Sequence, residues 1–220
     1  PGSGNYIITN QVYLNYWTNE DHSESTTNWN TDVTDHSSCK DGYFLLVHAR
    51  GTSDGENMPF YKTILSNLCG GSKLSFKAWI ANLEKNSNTK QNFKFLVSFD
   101  NGNIQEYTTG DIRGGSNSLW IQYGFDFFVP QGATTATLSL FAEGAWDWGK
   151  GFALDDIEIK LLSPAQIFTP AKTEMIVLSG KKETLTGSYA CGSLTGSLTY
   201  QWQQRTETGE WVNCSGTGAT

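Results

Sequence analysis

Hydrophobic and polar residues alternate along much of this chain with the two-residue period of a half-buried β-strand. Apolar side chains occupy every second position from 74 to 80 and again from 93 to 99. No window of the sequence carries the 3.6-residue period of an amphipathic helix. The pattern therefore predicts an all-β protein.

Turn-forming residues divide the sequence into about nine predicted strands. Asn101-Gly102 is the clearest turn, because both residues accept the positive φ angles of a tight hairpin. Short strands separated by turns are typical of a β-sandwich or a jelly roll, and not of a parallel sheet. The predicted strands are 6–9, 42–50, 60–65, 74–80, 93–99, 104–109, 120–129, 135–141 and 152–162.

The alternation stops near residue 162 and restarts beyond residue 183. We predict a jelly-roll domain at 1–162, a linker at 163–170 and the start of an immunoglobulin-like domain at 171–220. Tyr200-Gln201-Trp202-Gln203 resembles strand C of immunoglobulin-like domains, in which the tryptophan packs between the sheets. Such a domain needs about 100 residues. We therefore expect the native chain to continue beyond Thr220 with further domains.

Composition narrows the possible functions. Aromatic residues make up 13% of the chain and charged residues only 17%, which suits a packed core with a neutral, hydrogen-bonding surface. The net charge of −7 and the lack of a basic run argue against nucleic-acid binding. No apolar stretch reaches the roughly 18 residues of a membrane span.

The four cysteines fall as two pairs in two regions of the chain, and none lies in a CxxC arrangement. We predict two disulfides, Cys39–Cys69 and Cys191–Cys214. The alternative is four small buried thiols. Disulfides would be consistent with an exported protein.

No sequence motif for catalysis is present. The chain contains three histidines and lacks HExxH, GxSxG and P-loop patterns. Its acidic residues lie mostly in predicted loops, where solvated charge is the ordinary explanation. We predict a protein that is not an enzyme.

Asp155 occupies an unusual position for an acidic residue, within a predicted strand rather than a loop. Strict alternation places it in an apolar row with Ala153, Ile157, Ile159 and Leu161. An ionised carboxylate in such a row needs a partner. That partner could be a calcium ion completed by further oxygen ligands, a set of backbone N–H groups, or an arginine such as Arg50. Asp156 and Asp35 are the further acids predicted for a metal site.

Aromatic residues in two polar segments are the best candidates for ligand binding. Trp146-Asp147-Trp148 lies between two glycines, where indole rings could stack on sugar rings and the carboxylate could accept hydroxyl hydrogen bonds. Alternatively, both tryptophans cap the core. Trp17 and Trp29 belong to a long segment, 11–40, that is either a binding surface or a cover over the core.

Several sequence blocks resemble a jelly-roll module of large secreted proteins of Bacteroidetes-type bacteria, related to MAM (galactose-binding-like) domains and to calcium-containing carbohydrate-binding modules. The resemblance spans residues 4–162, and its most specific parts are Ala78-Trp79-Ile80-Ala81-Asn82 and Ala153-Leu154-Asp155-Asp156-Ile157. The chain departs from the family at His48, where an asparagine is usual. Further matching blocks are 4–10, 34–37, 42–49, 68–70, 109–112 and 120–125.

The resemblance implies an extracellular or cell-surface module placed ahead of immunoglobulin-like repeats, with the aspartate pair at a structural calcium site. We therefore expect a non-catalytic binding or adhesion module whose partner is a glycan. The alternatives are a protein–protein interaction module of the MAM type, with a surface protein as partner, and an accessory domain of a larger enzyme.

Overall fold

The computed structural model describes residues 5–12, 29–37, 39, 41–49, 59–116, 119–143, 150–169, 186–189, 203–206 and 208–215. The chain divides into two compact units, Pro1–Ala190 and Cys191–Thr220. All regular elements in the described residues are β-strands. They are β1 (Asn5–Thr9), β2 (Phe44–Ala49), β3 (Tyr61–Leu65), β4 (Lys73–Asn82), β5 (Lys90–Phe99), β6 (Ile104–Thr108), β7 (Ile112–Arg113), β8 (Ile121–Phe128), β9 (Ala136–Glu143), β10 (Lys150–Ser163), β11 (Gln166–Thr169), β12 (Thr186–Tyr189), β13 (Gln203–Arg205) and β14 (Trp211–Asn213).

Two antiparallel sheets form the body of the first unit. One has five strands in the order β1-β2-β10-β4-β8. The other, called the four-stranded sheet below, has four main strands in the order β3-β9-β5-β6, and the short β7 pairs with β5 as its fifth strand. Strands that follow one another in sequence mostly lie in opposite sheets, and the chain crosses from sheet to sheet at six of the nine connections between β1 and β10. This order is that of a jelly roll. The predicted all-β fold class is confirmed.

Inward-facing aromatic and aliphatic side chains from both sheets fill the space between them. Phe93 and Phe95 of β5 are fully buried, as are Phe76 of β4 and Phe152 of β10. The rings of Phe93 and Phe152 lie 4.7 Å apart between centroids, nearly edge to face, and join the two sheets directly. The alternation at 74–80 and 93–99 therefore marks the core-facing positions, as the sequence predicts.

A second hydrophobic cluster lies on the outer face of the five-stranded sheet. Leu46 and Ala153 of that sheet pack with Trp29 and Val33, and the backbone N–H of Asn30 donates to Leu83 O at 2.7 Å. The described residues 29–37 thus cover this face, which is the second of the two roles considered for the segment 11–40.

A β-bulge interrupts β10 and changes which side chains face the core. Asp155 is paired with Trp79 and Glu158 with Lys77, so β10 has one residue more than β4 over this stretch. Asp156 takes the extra position with φ of 44°. Ile157 therefore points toward the core, whereas Asp155 points to the outer face. The prediction that Asp155 and Ile157 lie in one apolar row was wrong, because strict alternation cannot anticipate a bulge.

Strands beyond the jelly roll are short. Within the first unit, β10 continues to Ser163 and β11 pairs with β12. The stretch predicted as a linker, 163–170, thus contains a strand. In the second unit, β13 and β14 form a hairpin closed by a hydrogen bond from Thr206 N to Glu210 O. Trp202 lies outside the described residues, and the immunoglobulin-like domain stays a prediction.

Candidate functional site

Three aspartates predicted as metal ligands lie around one histidine on the outer face of the five-stranded sheet. The backbone N–H of His36 donates to Asp155 Oδ2 at 2.9 Å, and His36 Nδ1 lies 2.8 Å from Asp156 Oδ2. Asp35, next along the chain, packs against Gly42, where a Cβ would lie 2.2 Å from Asp35 Cγ. The structure brings the three carboxylates into one region together with His36, which sequence reasoning did not select.

Both carboxylate oxygens of Asp155 accept backbone N–H groups. Asp155 Oδ2 accepts from His36 and Oδ1 accepts from Asp156 at 2.8 Å. Asp35 Oδ2 accepts the hydroxyl of Ser37. This arrangement is the backbone alternative considered for Asp155: its negative charge is compensated by oriented N–H dipoles.

Calcium usually takes six to eight oxygen ligands with free lone pairs. Within the described part of the chain, no group of three or more His, Cys, Asp or Glu residues is arranged to hold a metal ion. The carboxylates of Asp35, Asp155 and Asp156 are directed to hydrogen-bond donors instead. Calcium binding by these three residues stays a prediction of the family resemblance.

Partial burial raises the pKa of Asp155, and the nearby charges of Asp156 and Asp35 raise it further, against the lowering effect of the two N–H groups.

The pKa of Asp100, at the far end of the sandwich, is shifted in the opposite direction. Its carboxylate accepts the hydroxyl of Thr134 at 2.6 Å and the backbone N–H groups of Thr134 and Thr135. These hydrogen bonds lower the pKa of Asp100.

We expect Asp155→Asn and Asp100→Asn to change the pH dependence of stability in opposite directions. The native state binds the Asp155 proton more tightly than the unfolded chain does, so ionisation of Asp155 lowers stability as pH rises from the unfolded pKa through the folded one. Asp100 contributes stability above its unfolded pKa, which is lost as pH falls through its lower folded pKa. Urea unfolding from about pH 3 to 7 measures both slopes. If both variants changed the slope of the unfolding free energy against pH in the same direction, this assignment would be contradicted.

His36 also belongs to an aromatic group on the same face. Its ring stacks on Trp79 with centroids 3.7 Å apart, and Trp120 approaches it edge-on at 6.2 Å. The indole N–H of Trp120 donates to Thr34 O at 2.9 Å. These contacts hold the covering segment against the sheet, so the group's evident role is structural.

Trp29, predicted as a ligand-binding residue, is fully buried. Its indole N–H donates to Glu84 Oε1 at 2.8 Å, and the same carboxylate oxygen accepts the backbone N–H of Gly151 at 3.0 Å. A Cβ at Gly151 would lie 2.2 Å from the indole ring. Trp29 therefore belongs to the core, and the prediction that it contacts a ligand was wrong.

The other predicted ligand-binding residues, Trp17, Trp146, Asp147 and Trp148, lie outside the described residues. Cys39 is exposed with a free thiol, so the predicted Cys39–Cys69 bridge was wrong. Cys214 forms no disulfide either, so the predicted Cys191–Cys214 bridge, whose other cysteine lies outside the described residues, was also wrong.

The outer side of the four-stranded sheet presents a second surface, which sequence reasoning missed. We call it the open face. Its residues alternate with the core residues of β3, β5, β6 and β9. The sequence therefore already indicated this face, through the mostly polar positions that lie between the apolar ones of each strand. Its members are Lys62, Ile64, Lys90, Asn92, Lys94, Leu96, Ser98, Ile104, Glu106, Thr108, Thr137, Ser139, Phe141 and Glu143, with Arg113 of β7 paired to Lys90 on the same side.

One aromatic ring lies on the open face. Phe141 is half-buried, and Lys94 Nζ lies 5.5 Å from its ring centroid. Lys94 also forms an ion pair with Glu143 at 2.8 Å. Ile64 and Ile104 at the two sides of the face are 64% and 61% exposed. The face thus combines an aromatic ring, hydroxyl groups and exposed aliphatic side chains.

Neither a protein-family model nor a curated protein sequence matches this chain. Among solved structures, the enzymatically active domain of bacteriophage CBA120 tailspike protein 4 has a TM-score of 0.43 at 13% identity, covering 74% of this chain and 18% of the tailspike chain. The EclA C-terminal domain, a sugar-binding protein, has a TM-score of 0.40 at 16% identity, covering 55% and 80%. The CBM22-1 xylan-binding domain of Paenibacillus barcinonensis Xyn10C has a TM-score of 0.39 at 15% identity, covering 75% and 99%.

Proposed function

We propose that this chain is a non-catalytic carbohydrate-binding module of an exported bacterial protein. The observation that carries the proposal is the open face, where the half-buried ring of Phe141 shares one side of the sheet with hydroxyl-bearing side chains. Thr108 lies in the same cross-strand row, beyond Lys94, and Thr137 and Ser98 are paired four residues further along β9 and β5. An aromatic ring can pack against the C–H groups of a sugar ring, while neighbouring hydroxyls exchange hydrogen bonds with sugar hydroxyls.

The sequence directly after β9 supports the same proposal. Phe141 and Glu143 are outward-facing at the end of that strand, and Trp146, Asp147 and Trp148 follow within five residues. We propose that these two tryptophans contribute further aromatic contacts to the sugar.

No helix in the described part of the chain has the length and apolar character needed to cross a bilayer.

We expect the double variant Trp146→Ala/Trp148→Ala to lose most binding on a glycan array, with a decrease of about tenfold or more in apparent affinity, because anchoring aromatics dominate such contacts. Trp211→Ala is the matched control, since Trp211 is 66% exposed on β14 of the second unit. Unchanged binding by the double variant would exclude these tryptophans. Absence of any glycan binding by the unsubstituted chain would contradict the proposed function itself.

A further inference from the structure

β1 is the outermost strand of the five-stranded sheet, and β2 is its one neighbour among the described strands. Along its other edge, β1 presents backbone N–H and C=O groups that no described strand pairs with. An edge of this kind is a template for a further strand, because an extended polypeptide can satisfy the whole row of donors and acceptors at once.

The side chains of β1 leave that edge uncharged. The run from residue 5 to residue 12 contains neither a charged residue nor a proline. Each other strand at an edge of the two described sheets carries a charged residue: Asp126 on β8, Lys62 on β3, Glu106 on β6 and Arg113 on β7. Charges and prolines at an edge are the ordinary protection against edge-to-edge association. Within the described sandwich, β1 therefore lacks the protection that the other edges have.

Two large apolar side chains of β1 are exposed on the side that faces the four-stranded sheet. Tyr6 is paired with Val47 and Ile8 with Leu45, and Val47 is buried in the core between the sheets. Tyr6 and Ile8 are nevertheless 65% and 67% exposed. The four-stranded sheet therefore does not cover these two side chains, and a partner that covered them would remove apolar surface from water.

Antiparallel pairing of two β1 strands about a two-fold axis at Ile7 matches these side chains. In that register Tyr6 lies opposite Ile8 of the second copy, and Ile8 lies opposite Tyr6 of the second copy. Aromatic and β-branched residues are favourable cross-strand partners, and no charges meet along the contact. Because the chain carries a net charge of −7, a second copy is repelled least at this uncharged strand.

We propose that two copies of this chain associate through β1 and join their five-stranded sheets into one continuous sheet. The proposed dimer goes beyond the carbohydrate-binding function and does not depend on it. The contact runs over only five residues of each copy, so the association should be weak and concentration-dependent.

Sedimentation velocity of the full chain over a range of micromolar concentrations tests the dimer. The weight-average mass should rise with concentration from 24.3 kDa toward twice that value. Ile8→Lys should weaken the association by about tenfold or more, because the two introduced charges would lie diagonally across the strand pair, about 7–8 Å apart. Ile121→Lys is the matched control, since Ile121 is 44% exposed on β8, at the opposite edge of the same sheet. It should leave the association unchanged.

A mixture of the variants Ile8→Lys and Tyr6→Glu tests the register and shows that both variants fold. Each alone should associate weakly, since each brings two like charges together. The mixed dimer sets the introduced lysine of one copy opposite the introduced glutamate of the other, so the mixture should associate more tightly than either variant alone.

A mass of 24.3 kDa at every concentration of the unsubstituted chain would overturn the proposal and leave β1 as an edge for a strand of another protein. Association that Ile8→Lys leaves unchanged would place the contact elsewhere and would also overturn it. Loss of association in both variants without recovery in their mixture would overturn the pairing of Tyr6 with Ile8 and with it the proposed dimer.

Discussion

Replacing Phe152 by alanine is expected to lower the free energy of unfolding by about 3–5 kcal/mol. Phe152 is fully buried in β10, and its ring contacts Phe93 at 4.7 Å and Phe60 at 5.0 Å between centroids. The substitution removes apolar area from the core and leaves a cavity between the sheets, which close packing on both sides prevents from collapsing.

Denaturant unfolding of the two variants Phe152→Ala and Phe128→Ala measures this effect. Phe128 is 58% exposed on β8, so its truncation should change stability by no more than about 0.5 kcal/mol. If the two variants lost similar stability, the ring of Phe152 would not join the sheets as described.

The second large effect is expected at Trp29. Trp29→Ala should cost about 3–5 kcal/mol, because it empties the centre of the outer hydrophobic cluster and removes the indole N–H from the buried carboxylate of Glu84. Trp29→Phe should recover part of the packing but not the hydrogen bond. The free energy of unfolding of Trp29→Phe should therefore lie between that of the unsubstituted protein and that of Trp29→Ala.

The same variants distinguish a core residue from a ligand-binding residue. A Trp29→Ala protein with unchanged unfolding but weakened glycan binding would restore the sequence-based prediction that Trp29 contacts ligand. A large loss of stability is the result that its full burial requires.

The strands of the jelly roll could be predicted from the sequence because each presents one apolar face to a shared core. Positions 93–99 show this most clearly, with every second side chain buried. The order of the strands could not be read in the same way. Pairing of β2 with β10 joins residues about a hundred positions apart, and no local pattern specifies such a contact.

The errors have physical causes that arise at particular residues. Asp155 was assigned to an apolar row because alternation assumes an uninterrupted ladder, and the bulge at Asp156 ends that assumption. Trp29 was assigned to a binding surface because its polar neighbours in sequence suggest exposure, whereas the sheet below it is apolar on both faces at that end. The open face was missed because half-buried serine, threonine and lysine look like an ordinary solvated strand face.

The most direct test of the central claim is a calorimetric titration of the purified chain with a soluble neutral polysaccharide, followed by an assay for new reducing ends in the same sample. The account predicts saturable binding that is weakened by Phe141→Ala, with no release of reducing ends. Release of reducing ends in proportion to the protein present would contradict it.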